Sequence, residues 1–130
     1  MKTLINPLGT EQGYDEWQMS DAVRVGDTIW VSGKVGINQS GSIEKGVEQQ
    51  SRKAFQRIQD SLAQAGATLD DIVELVTYHV SMRDLDEFMQ VKSEFIRRDF
   101  PAWTAVGVTE LYVPEALLEI KATAVIGCGN

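Results

Sequence analysis

Glu119 is the residue of this 130-residue chain best placed to do chemistry. It stands inside an apolar run, Ala116-Leu117-Leu118-Glu119-Ile120. Apolar surroundings disfavour the charged form of a carboxyl and raise its pKa. A carboxyl so placed could hold and polarise an attacking water. Lys121 follows two residues later, on the same face of a strand, so a structural ion pair is the competing reading. His79 is the only histidine and lies beside Tyr78. Zinc would need further ligands at suitable spacing, and the sequence shows none, so neither a metal nor another cofactor is expected. A Ser-His-Asp triad would lack its nucleophile motif GxSxG, which leaves a hydrogen-bonded structural role for His79. Cys128, the sole cysteine, cannot form an internal disulfide and has no base near it in sequence. The glycines form neither GxGxxG nor GxxxxGKS, so no phosphate cradle is expected.

The elements that must position these residues follow from periodicity. Thr3 to Asn6 reads as a short edge strand ended by Pro7, and Leu8 to Glu16 as a polar, Gly-containing loop. Two β-rich runs, Trp17–Val25 and Thr28–Ser32, flank Gly26-Asp27 and predict a hairpin. Val47, Ser51, Ala54, Ile58, Leu62 and Ala65 recur at helical spacing, with Gly66 as the stop. Ile72 to Val80 is β-branched and apolar, as a buried strand requires. Asp84 with Glu87 three residues later predicts a capped second helix, ended by Pro101. Trp103–Leu111 and Ala116–Ile126 are the last two strands. The order is βββαβαββ, an α+β chain with two helices on one face of a mixed sheet, and residues 1–130 read as one domain. Along the last strand Leu118, Ile120, Ala122, Ala124 and Ile126 form one apolar set. Leu117, Glu119, Lys121, Thr123 and Val125 form a mixed one, as expected of a second face buried in places and wet in others.

The net charge of −7 argues against nucleic acid and against an anionic membrane surface as partners. No run approaches the ~20 apolar residues of a membrane span, and the first residues lack a signal-peptide core. A cytoplasmic location is the expectation.

Several motifs occur in a telling order. Val23 to Asp27 followed by Val31-Ser32-Gly33 matches a VxxGDxxxxSG hairpin. Leu62 to Gly66 precedes Leu69-Asp70-Asp71-Ile72-Val73, Asp84 to Phe88 is similar to a DxxDF helix start with Glu87 in the place of the second Asp, and Pro101-Ala102 and Glu119-Ile120-Lys121 complete the set. Together they resemble the YjgF/RidA family of reactive intermediate deaminases, whose active members hydrolyse enamines and imines. The run Trp103 to Val108 is most similar to its divergent YjgH-like branch. The resemblance implies a chorismate-mutase-like fold and a homotrimer with a barrel-like core and three inter-subunit clefts. It assigns Glu119 the catalytic, water-positioning role. Trp103, Thr104, Ala105, Ser32, Gly33, Met19 and Trp17 fall at substrate-binding positions. Trp103 replaces the arginine that holds a substrate carboxylate, Ala105 a frequent cysteine, Met19 a frequent tyrosine, and Lys121 a second acidic residue.

An indole offers a flat apolar surface and one N–H donor, so it cannot grip a carboxylate as a guanidinium fork does. Trp103 either lines the cleft and stacks on a planar ligand, or fills the space of the missing arginine. The leading expectation is a small-molecule-binding protein that hydrolyses an uncharged or aromatic imine or enamine, with turnover of small 2-imino acids weak or absent. A non-enzymatic ligand sensor or chaperone-like binding module is the alternative. An endoribonuclease is disfavoured by the acidic balance.

Overall fold

The computed structural model describes residues 1–130. One six-stranded sheet runs in the order β1-β2-β3-β6-β4-β5. Its strands are β1 (Thr3–Ile5), β2 (Ala22–Val25), β3 (Thr28–Lys34), β4 (Ile72–His79), β5 (Ala102–Gly107) and β6 (Leu118–Val125). β2 and β3 form the expected hairpin around Gly26-Asp27, with Gly26 at φ +58°, a conformation glycine adopts without a Cβ penalty. β4 pairs parallel with β5 and antiparallel with β6, which makes the sheet mixed.

The helices are α1 (Glu11–Trp17), α2 (Gly46–Ala65) and α3 (Leu85–Phe95). α1 corrects the expectation of a loop over Leu8–Glu16. It buries no residue, so it carries no apolar stripe by which a sequence would reveal it. The hairpin's first strand starts at Ala22 rather than Trp17, because Trp17 ends α1 and Gln18 takes a left-handed turn out of it. α2 buries Val47, Ser51, Ala54, Phe55, Ile58, Leu62 and Ala65, and Gly66 ends it at φ +95°. α3 is entered differently from expectation. Asp84 is itself helical and makes no side-chain cap, so its carboxylate cannot fold back onto the first turn. Ser81 Oγ instead accepts from the backbone N–H of Arg83. α3 ends at Phe95, well before Pro101, because Ile96 turns extended and is buried.

α2 and α3 cover one face of the sheet. Phe55 stacks on Phe88 and Phe95 at 5.7 and 5.1 Å, above Ile29, Val31, Leu75, Leu118, Ile120 and Ala122. Each large side chain fully buried there contributes about 1.5–3 kcal/mol. The other face bears Trp30, Tyr78, Val106, Lys121 and Thr123, and no element of the chain covers it. Trp30 is 46% exposed.

One buried side chain fixes the long β5–β6 connection. Gln50 on α2 donates to the carbonyls of Glu44 and Glu115, and its own carbonyl accepts from the Leu117 N–H at 2.8 Å. Gly36 passes so close that a Cβ there would lie 2.6 Å from the Gln50 backbone. No helix of the chain is long and apolar enough to cross a membrane.

Candidate functional site

β6 alternates with period two, which sends Leu118 and Ile120 into the core and Glu119 to the uncovered face. β3 and β6 lose register between Val31 and Lys34, and this irregularity brings Gly33 against the Glu119 side chain. A Cβ on Gly33 would lie 2.8 Å from Glu119 Cδ and 3.0 Å from Oε1. The close approach is to side-chain atoms alone, so Gly33 leaves room for the Glu119 carboxyl rather than meeting a demand of backbone conformation. Glu119 is half-buried. Burial pushes its carboxyl above the ordinary value, against the opposing pull of Arg57 and Lys34. The competing reading, an ion pair with Lys121, does not form; Lys121 is exposed and makes no ion pair.

Two basic groups near Glu119 were not singled out by the sequence. Lys34, at the end of β3, is 4% exposed and pairs with Asp21 Oδ1, while Ser61 Oγ donates 2.6 Å to Asp21 Oδ2. Burial depresses the Lys34 pKa, and Asp21 only partly restores it. The Lys34 charge is thus committed. Arg57, on α2, donates Nη1 to the Val35 carbonyl at 2.7 Å and belongs to no ion pair. Burial lowers its pKa too, with Asp21 and Glu119 pulling the other way.

Glu119, Gly33, Lys34 and Arg57 share a groove of about 510 Å³ whose outer wall includes Tyr14, Trp17, Met19 and Tyr112. That is within the size range of small-molecule sites, roughly 300–1,000 Å³. Trp17 and Tyr112 meet edge to face, 4.8 Å apart at 84°. The Tyr112 loop is held there by the Gln50 bonds. Four of the sequence-assigned residues, Glu119, Gly33, Met19 and Trp17, therefore converge on one groove.

The other four do not join them within one chain. Ser32 Oγ donates to the Ser20 carbonyl at 2.7 Å, and Ser32 lines a separate groove beside Leu4 and Val23. Trp103, Thr104 and Ala105 lie on β5 at the sheet edge, separated from β6 by β4. Thr104 is exposed. Trp103 is opposite Leu75 and faces the helices. It packs against Phe88 with ring centroids 6.1 Å apart, and Lys92 Nζ sits 4.5 Å from its ring centre. Its indole N–H donates 3.0 Å to Thr77 Oγ1. Trp103 is thus a filler of the helix-side core in this chain.

The same hydroxyl lies 2.7 Å from His79 Nε2. His79 Nδ1 has no partner within the chain. Burial lowers the His79 pKa, with Asp84 opposing, so this fully buried histidine is neutral and structural. No group of side chains in the chain is arranged to hold a metal.

Comparison with known proteins agrees with this geometry. Residues 14–126 match the family described as endoribonuclease L-PSP. The RutC family protein YjgH of Escherichia coli strain K12 is 40% identical over 112 residues, 85% of this chain and 86% of that protein. The 2-iminobutanoate/2-iminopropanoate deaminase of Dermatophagoides farinae is 31% identical over 109 residues, 82% of this chain and 84% of its own length. The solved structure of protein YjgH aligns with a TM-score of 0.85 at 38% identity, covering 96% of each chain. The motif order, the α+β sheet and these matches agree, and the chain belongs to the YjgF/Rid family.

Proposed function

We propose that the chain binds a small aromatic or apolar imine or enamine in the Glu119 groove and hydrolyses its C–N bond. The observation that carries this reading is the Glu119 carboxyl itself, pushed up by burial and seated against Gly33 in a groove with an aromatic outer wall. A carboxyl whose pKa is moved toward neutrality can both accept and return a proton. As carboxylate it takes a proton from a held water while the water oxygen bonds to the imine carbon. Glu119 returns that proton to the imine nitrogen, which gives a neutral carbinolamine; it then takes the carbinolamine hydroxyl proton and delivers it to the nitrogen as the C–N bond breaks, so a carbonyl product forms and ammonia leaves.

Position 103 supplies no cation and 2-iminobutyrate has no flat body for the aromatic lining of the groove, so it is expected to be a poor substrate. The relative from Dermatophagoides farinae bears the deaminase name, and that likeness supports the reaction class. A homotrimer is part of the proposal. The uncovered sheet face, with Trp30, Tyr78 and Val106, is the surface three copies would bury against one another. Thr104, the member of the β5 trio that shares that face, would then reach a cleft belonging to a neighbouring copy.

The test is ammonia release from a panel of freshly made imines: acetophenone imine, 2-imino-3-phenylpropanoate and 2-iminobutyrate. Aryl members should be hydrolysed faster than in buffer, and Glu119→Ala should abolish the excess. Equal rates for the wild type and Glu119→Ala on every member would defeat the enzymatic reading. Preference for 2-iminobutyrate would defeat the reading of Trp103.

A further inference from the structure

Resting on the Glu119 groove as the ligand site, we propose that Arg57 is its anion-binding residue and that its ligands include planar aryl monocarboxylates. The cation that β5 lacks is supplied by α2. Arg57 is the one groove cation not already spent on a carboxylate. A guanidinium has five N–H donors, and within the chain only Nη1 is engaged, by the Val35 carbonyl. Lys34 is closed off by Asp21. Arg57 is partly desolvated and belongs to no ion pair, an arrangement that a carboxylate ligand would complete with two parallel hydrogen bonds.

The apolar requirement comes from Trp17 and Tyr112, which line the same groove and pack edge to face against each other. A ligand must therefore carry both an acid group for Arg57 and a flat body for the aromatic pair. An acid without that body uses half the site.

The experiment is calorimetric titration of the full-length protein with 3-phenylpropanoate, its uncharged amide 3-phenylpropanamide, and acetate. The acid should bind about ten- to a hundredfold more tightly than the amide, the range of a charge-assisted contact. Acetate should bind more weakly than either aryl compound. Arg57→Gln should bring acid and amide to the same affinity, and Arg57→Lys should keep part of the preference. Equal binding of acid and amide by the wild type would overturn the proposal with no variant needed. So would an acid preference that survives in Arg57→Gln. Glu119→Gln should bind the acid at least as well as the wild type while losing hydrolysis. A failed acid preference beside intact Glu119-dependent turnover would therefore sink the Arg57 assignment alone.

Discussion

Gly33→Ala separates the geometry of Glu119 from the stability of the fold. The new methyl would meet Glu119 Cδ at 2.8 Å, Oε1 at 3.0 Å and Cγ at 3.1 Å. All three atoms belong to the end of a flexible, half-exposed side chain, so the side chain yields before the backbone does. Restoring an ordinary carbon–carbon separation of about 3.5 Å requires the carboxyl to retreat by about 0.7 Å. Catalytic groups lose about a hundredfold in rate for a displacement of about 1 Å. Turnover of the aryl imine should therefore fall by roughly ten- to a hundredfold, approaching the effect of removing the carboxyl. Stability should fall by no more than about 1–3 kcal/mol, the usual cost of one extra methyl in a packed place. The assay pairs ammonia release with chemical denaturation of the same preparation. A folded Gly33→Ala protein with unchanged turnover would refute the placement of Glu119 as the water-holding group.

Glu119→Gln should stabilise the protein at neutral pH while abolishing hydrolysis. A carboxyl whose folded pKa is raised binds protons more tightly folded than unfolded, so ionisation costs stability as pH rises through the interval between the two values. The variant's advantage in melting temperature should vanish in acid, below about 4.3, the ordinary glutamate pKa. An advantage that persists there would show that the effect is packing. Trp103→Phe keeps the ring stack on Phe88 but removes the indole donor to Thr77. It should cost about 1–3 kcal/mol by denaturant titration, as a buried acceptor loses its partner. An unchanged midpoint would mean that the Trp103–Thr77 bond contributes nothing to folding.

The sheet and two of the helices were legible because each buries a periodic apolar set. α1 was not, because a helix that buries nothing leaves no such pattern. Glu119 could be found from its apolar neighbours and the alternation of β6. Gly33 and Met19 could be found only from resemblance, since nothing local marks them. Arg57 escaped because it reads as one more charge on the polar side of α2; only the docking of α2 beside the end of β3 brings it to Val35 and the groove. The orientation of Trp103 was equally hidden. Alternation places Trp103 and Ala105 together, but pairing with Leu75 and Thr77 decides that their side faces the helices.

α2 serves as a common mount for parts that lie far apart in the chain. Gln50 holds the loop of the aromatic wall, Arg57 furnishes the free cation, and Ser61 steadies the carboxylate that neutralises Lys34. Glu119 rides on the sheet instead. The reactive half and the recognition half of the groove thus stand on separate supports, and exposed positions of one helix can be exchanged without touching the strand that carries the acid. On the proposed function, substitutions along that helix would change which ligand is held while leaving the strand-borne carboxyl in place.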